Sequence, residues 1–310
     1  MATGRFAPSP TGELHLGNLR TALLAWLFAR SAGSRFLLRV DDLDPVRSRP
    51  DHEARQLADL AAVGIDWDGP VERQSARRAR HDAALHVLEA AGLTYPCWCS
   101  RREIREASEA PHAPGRGERP PGAYPGTCRD LGAAQRRERM ASDRPAALRL
   151  RSSGETITIV DRLCGEVSAV VDDVVLRRND GVPAYNLATV VDDAEQGVEE
   201  VVRGDDLLSS SPRQAHLADL LGLVRPTWAH VPLVLGADGD RLAKRHGAVT
   251  LSDLQGSGVD GAAVRAMLAA SLALAEPGEE VSMADLIERF DPARLPKRPW
   301  IIRDRDPDVR

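Results

Sequence analysis

The first forty residues alternate short apolar runs with turn signals. Arg5 to Pro10 is apolar and proline-punctuated, which predicts a strand running into a loop. Leu16 to Ala32 is rich in Leu and Ala without an interior proline, and Gly33 closes it, so a glycine-capped helix is predicted. Arg35 to Val40 predicts a second strand, ending at Asp41-Asp42-Leu43-Asp44-Pro45. Strand, helix, strand in that order predicts an α/β fold with a parallel sheet. Asp51 to Val63 and Ala76 to Ala91 predict further helices.

The pattern changes near Tyr95. Cys97-Trp98-Cys99 opens a stretch rich in Arg, Pro and Gly, and Ala110 to Gly126 is loop-like by composition. Thr156 to Ile159 and Val167 to Leu176 are β-branched and predict strands. The α/β pattern resumes at Gly181 and turns helical after Ser252. The expected organisation is therefore a first half-domain over 1–93, an insertion over 94–180, a second half-domain over 181–251 and a helical region over 252–310. No regular structure is expected from Leu295 to Arg310. Cys164, apart from the other cysteines, is expected in the core.

Composition narrows the setting more than the function. With 310 residues and 43% hydrophobic content, the chain can bury a substantial core. No apolar run reaches the roughly 20 residues that span a bilayer. The first residues lack the apolar segment of an export signal, and four cysteines do not make a disulfide scaffold at this length. A reduced, cytoplasmic protein is expected. The net charge of -5 disfavours a general nucleic-acid binder, but arginines gather locally. Arg73, Arg77, Arg78 and Arg80 form one group; Arg136, Arg137, Arg139, Arg144, Arg149 and Arg151 form another. Either group fits a solvated helix face or an RNA-facing surface.

Candidate chemistry begins where the first strand meets the first helix. His15 and Gly17 stand at a helix N-terminus, whose free N–H groups and partial positive charge suit phosphate. Gly17 permits close approach of a ligand to the backbone, and His15 can donate to oxygens that gain charge in a transition state. Cys97, Cys99 and Cys128 supply three of the four ligands of a tetrahedral zinc site, so a fourth is needed.

The string Arg5-Phe6-Ala7-Pro8-Ser9-Pro10-Thr11-Gly12, followed by His15-Leu16-Gly17-Asn18, resembles the signature of class I aminoacyl-tRNA synthetases in its glutamyl and glutaminyl form. Asn18 replaces the last histidine of the general motif. Late in the chain, Arg241-Leu242-Ala243-Lys244-Arg245 resembles that family's Lys-Met-Ser-Lys-Ser loop, with Arg241 and Ala243 as departures. The resemblance implies a Rossmann-like parallel sheet, His15, Gly17 and Lys244 as catalytic residues, and ATP contacts from His15, Gly17, Asn18, Arg241 and Lys244. It implies a glutamate pocket formed by Arg5, Ala7, Ser9, Asp41, Tyr185 and Arg203. Asp41 stands where the family usually has glutamate, one methylene longer, so a water is expected to bridge to the substrate ammonium.

The pattern Cys97-x-Cys99…Tyr124-x-x-x-Cys128 is similar to the zinc site of glutamyl-Q tRNA(Asp) synthetases, which implies Tyr124 as the fourth ligand. Arg203-Gly204-Asp205-Asp206-Leu207 is similar to their Arg-Gly-x-Asp-Leu segment. The chain also ends soon after the Lys244 loop, without the helical anticodon-binding region of a full glutamyl-tRNA synthetase. The implied partners are L-glutamate, ATP with Mg2+, and tRNA(Asp) containing queuosine, acting on a monomer that carries Zn2+. Two alternatives stand beside it: a truncated glutamyl-tRNA synthetase charging the 3′ end of tRNA(Glu), and a non-catalytic tRNA-binding paralogue.

Overall fold

The computed structural model describes residues 2–109, 123–240 and 249–302, without the side chains of 108 and 109. The first βαβ unit is β1 (Gly4–Phe6), α1 (Leu16–Ser31) and β2 (Phe36–Val40), with the strands parallel and Arg5 opposite Leu37. β1 is shorter than expected because Pro8 and Pro10 lack the N–H that would continue the ladder. α1 is apolar on nearly every side and accordingly buried on nearly every side. Gly33 adopts φ 63° just past its end, as the sequence predicts.

The chain continues through α2 (Pro50–Ala62), β3 (Glu72–Arg73), a 3₁₀ turn at Gln74–Arg77 and α3 (Arg78–Ala90). The expected helix from Ala76 thus starts two residues late, after that turn. Next come β4 (Thr94–Cys97), α4 (Arg101–Glu109), α5 (Ala133–Met140), β5 (Ala147–Leu150), β6 (Thr156–Asp161), β7 (Gly165–Val170) and β8 (Val175–Arg177). The apolar run Val167 to Leu176 is two strands. Asp172 and Asp173 break it, accepting hydrogen bonds from Arg213, Arg129 and Tyr95. The second half holds α6 (Tyr185–Glu195), β9 (Glu200–Gly204), a 3₁₀ turn at Asp205–Ser210, α7 (Ser211–Leu220), β10 (Thr227–Val231) and β11 (Val234–Leu235). It closes with α8 (Leu251–Gly256), α9 (Gly261–Ser271), α10 (Met283–Arg289) and β12 (Trp300–Ile301).

The main sheet runs β3-β2-β1-β9-β10-β6-β7, parallel except for the β6–β7 hairpin. β4, β5 and β8 form a separate antiparallel sheet. The 94–180 segment therefore supplies both a small sheet of its own and an edge of the main one. Strand order reverses between β1 and β9: the chain winds outward from β1 to β3 and from β9 to β10. A crevice at the carboxyl ends of the strands is expected there. β1, β2 and β9 are buried along their whole length, as parallel strands covered on both faces should be.

The C-terminal helices are joined to this frame rather than appended. Arg20 of α1 donates to the carbonyls of Pro232 (2.8 Å) and Ser271 (3.3 Å) and to the Ser271 hydroxyl (3.0 Å). Burial lowers its guanidinium to about 10. Gly261 begins α9 so close to α2 that an added Cβ would lie 2.1 Å from the Ala62 carbonyl oxygen. The tail holds more order than expected, since Trp300 and Ile301 pair with Val234 and Leu235. Cys164 is exposed in the turn between β6 and β7, not in the core; the turn folds back beside Asp161, which accepts its N–H. No described helix is long and apolar enough to cross a membrane.

Candidate active site

A cavity of about 770 Å³ opens at the strand-order reversal. β1 and the loop after it supply Arg5, Ala7 and Ser9. The start of α1 supplies His15, Gly17 and Asn18. Asp41 follows β2, Tyr185 begins α6 and Arg203 sits near the end of β9. All nine residues line the one cavity. Arg241 and Lys244 lie outside the described residues.

The helix start is built by its own side chains. His15 is the N-cap of α1, and its Nδ1 accepts the Asn18 N–H at 3.3 Å. The Asn18 side chain returns the bond by accepting the His15 N–H at 3.2 Å. Because Nδ1 accepts, the neutral ring carries its proton on Nε2, and Nε2 is the donor nitrogen. Gly17 has a further use in seating that ring. A Cβ there would lie 3.0 Å from the His15 ring and 3.3 Å from Val234, so its bareness seats the histidine.

Beneath the cavity lies a buried charge lattice. Asp193 takes both Nε (3.2 Å) and a terminal nitrogen (3.0 Å) of Arg5 in a fork, and a terminal nitrogen of Arg39 at 2.6 Å. Arg39 Nε donates to Asp41 at 2.8 Å. Burial pushes the Asp193 carboxyl up, but Arg5 and Arg39 outweigh it and hold the group below its usual range. Asp41 is the converse: burial raises its carboxyl despite Arg39 and Arg5. A cation entering the cavity would relieve Asp41.

Among the described residues Arg203 has no acidic hydrogen-bond partner. It is 5% exposed, and its donors go to neutral acceptors: His230 Nε2 (3.0 Å), the Tyr185 hydroxyl (3.1 Å), the Ser211 hydroxyl (2.8 Å) and the Leu207 carbonyl (3.4 Å). Burial lowers its guanidinium below the usual arginine range. His230 is fixed in turn by Asp161, which accepts from its Nδ1 at 2.6 Å. Burial keeps His230 below its ordinary value, so the ring is neutral and Nε2 accepts from Arg203. Burial works against the Asp161 carboxylate, yet bonds from His230 and the Cys164 and Leu163 N–H groups bring it down to about 2.

Sequence reasoning missed this supporting layer. Asp193 lies in the stretch that matches the synthetases, and the helical spacing Tyr185, Thr189, Asp193 was the signal for it. His230 and Asp161 meet only because β10 pairs with β6, which no local pattern reveals.

The cysteines form a second centre beside the first. The sulfurs of Cys97, Cys99 and Cys128 lie within 4.8 Å of one another. The Tyr124 hydroxyl stands 3.3 Å from Cys97 Sγ and 3.6 Å from Cys99 Sγ, and accepts the Cys128 N–H at 2.8 Å. Four donors converge as around a tetrahedral zinc, where Zn–S bonds of about 2.3 Å separate sulfurs by about 3.8 Å. Hydrogen bonds from Cys128 and Cys99 hold the Cys97 thiol well below the usual thiol range. The Arg149 guanidinium stacks 3.7 Å over the Tyr124 ring. The residues present fit zinc.

A second cavity, of about 730 Å³, runs between the two centres. It shares Ser9, Asp41 and Tyr185 with the first and reaches Cys97, Cys99 and Arg144. The two arginine groups part ways. Arg73, Arg77, Arg78 and Arg80 are paired with Glu53, Asp192, Asp82 and Glu195. Arg136, Arg137 and Arg139 are exposed along α5.

Residues 1–306 match the family model described as the catalytic domain of class I tRNA synthetases (E and Q). A glutamyl-Q tRNA(Asp) synthetase of Nocardia farcinica is 62% identical over 97% of this chain and 93% of its own length. One of Cutibacterium acnes is 51% identical over 95% of this chain and 86% of its own. The crystal structure of a glutamate-tRNA synthetase from Elizabethkingia anophelis superposes with a TM-score of 0.81 at 27% identity, covering 99% of this chain and 69% of that one.

Proposed function

The chain belongs to the class I tRNA synthetases of the glutamyl and glutaminyl branch, and from that membership we propose that it activates L-glutamate with ATP and transfers it to queuosine in the anticodon of tRNA(Asp). Unpaired Arg203 is the observation that carries the glutamate reading. A buried guanidinium without a counter-charge is costly unless an anion joins it. Arg5 stands across the same cavity, and Asp41 offers a carboxylate to an ammonium. Two carboxylates and one ammonium on a short chain answer that arrangement.

In the first step a glutamate carboxylate oxygen attacks the α-phosphorus of ATP. A P–O bond forms, and the bond to pyrophosphate breaks. His15 Nε2 and the partial positive charge at the start of α1 stabilise charge on the phosphate oxygens. Lys244 and Arg241 act on the departing pyrophosphate, and magnesium enters as the counterion of ATP. In the second step a queuosine hydroxyl attacks the acyl carbon, and AMP leaves. The cavity shared through Ser9, Asp41 and Tyr185 gives that nucleoside a route to the adenylate. Cys97, Cys99, Tyr124 and Cys128 would hold zinc, and Cys97 and Cys99 also line this second cavity. The protein acts as a monomer.

The test is ATP–pyrophosphate exchange without RNA, run with glutamate, glutamine and aspartate. Exchange with glutamate alone supports the reading. Exchange that begins only with tRNA(Glu) favours a glutamyl-tRNA synthetase, and none under any condition overturns it.

A further inference from the structure

Thr189 lies midway along α6 and is 1% exposed, and its hydroxyl has no hydrogen-bond partner among the described residues. A helical threonine ordinarily returns its hydroxyl to a carbonyl one turn back. Thr21 of α1 does so, donating to the Gly17 carbonyl at 3.0 Å. Thr189 forgoes that bond and lines the cavity that holds Arg5 and Arg203.

Its place along the helix says what it faces. Tyr185, Thr189 and Asp193 are spaced four apart and share one side of α6. Tyr185 meets Arg203, and Asp193 meets Arg5. Thr189 stands between these two contacts along the helix. A buried hydroxyl left without a partner destabilises the fold, and a ligand carboxylate would supply the partner.

We propose that Thr189 donates its hydroxyl hydrogen to the substrate carboxylate held between Arg5 and Arg203, making it a specificity-determining residue of the pocket. This rests on the glutamate reading of the cavity. Arg5 and Arg203 provide charge, whereas Thr189 fixes how deep along α6 the carboxylate sits. An amino acid one methylene shorter does not reach the hydroxyl.

The isosteric Thr189→Val separates this role from packing. In glutamate-dependent ATP–pyrophosphate exchange, the KM for glutamate should rise about tenfold or more, as loss of a hydrogen bond to a charged group requires. The KM for ATP and kcat should stay within about twofold, and Thr189→Ser should restore the KM. The Tm without ligand should hold or rise, since the hydroxyl has no partner to lose, while the glutamate-induced rise in Tm shrinks. A variant with wild-type KM and wild-type glutamate response overturns the role of Thr189 alone. A lowered ligand-free Tm with unchanged KM makes the hydroxyl structural and also overturns it. Wild-type protein that shows neither exchange nor a Tm response to glutamate overturns this proposal together with the functional reading.

Discussion

Replacing Arg203 by methionine separates a ligand-binding arginine from a structural one. The four acceptors of Arg203 are neutral, and two of them, Ser211 Oγ and His230 Nε2, already lie 3.2 Å apart. Arg203→Met loses bonds worth about 1.5–3 kcal/mol each and removes a buried unpaired charge that costs several kcal/mol. The two effects oppose each other, and Ser211 and His230 can pair with one another, so the loss of unfolding free energy should stay below about 4 kcal/mol. Binding has no such offset. Loss of a charge-assisted bond to the glutamate carboxylate should cost about 3 kcal/mol, or roughly 150-fold in Kd. Calorimetric titration with glutamate and urea unfolding of the same protein read the two quantities. A Kd within threefold of wild type, with a stability loss beyond about 4 kcal/mol, would refute the reasoning and make Arg203 part of the scaffold.

Gly17→Ala should press the new methyl against the His15 ring, lowering kcat in pyrophosphate exchange about tenfold or more while leaving the KM for glutamate unchanged; equal effects on both would contradict the seating role. Cys97→Ser should reduce the bound zinc measured by elemental analysis and lower the Tm, because a structural zinc carries folding free energy on the order of 10 kcal/mol; unchanged metal content would show the ligand set to be wrong. Acidification should destabilise the fold in two stages. Burial keeps His230 neutral in the folded chain, so below about pH 6.5 the unfolded chain binds the extra proton and stability falls. Asp161, held at about 2, adds stability that is present above about pH 4 and lost as pH falls toward 2. Urea midpoints from pH 7.5 to 5.5 check the first stage, with a flatter profile in His230→Gln; a wild-type profile that stays flat would contradict it.

The elements nearest the site were the most legible in sequence. Leu and Ala with a closing glycine announce α1 because a helix buried on all sides needs no polar face. The proline-rich loop after β1 and the histidine at the helix start are legible because they fall where a strand gives way to a helix. The supporting layer was hidden by distance. Asp193 reaches Arg5 across 188 positions and Asp161 reaches His230 across 69, so their partners exist only once the sheet is assembled. Cys164 misled for a similar reason: a small apolar residue reads as core until the β6–β7 turn carries it to the surface. The carboxylate partners of Arg73 and its neighbours come from α2, α3 and α6, so their pairing too was hidden in the local sequence.

Glutamate transfer to RNA is the central claim, and the position of the label tests it most directly. Radiolabelled glutamate would be incubated with the protein, ATP and queuosine-containing tRNA(Asp), and the product digested with nucleases. The account predicts label on the wobble nucleoside of tRNA(Asp) and none on the same tRNA lacking queuosine. Label on the 3′-terminal adenosine instead, of this tRNA or of tRNA(Glu) in a parallel incubation, would contradict it.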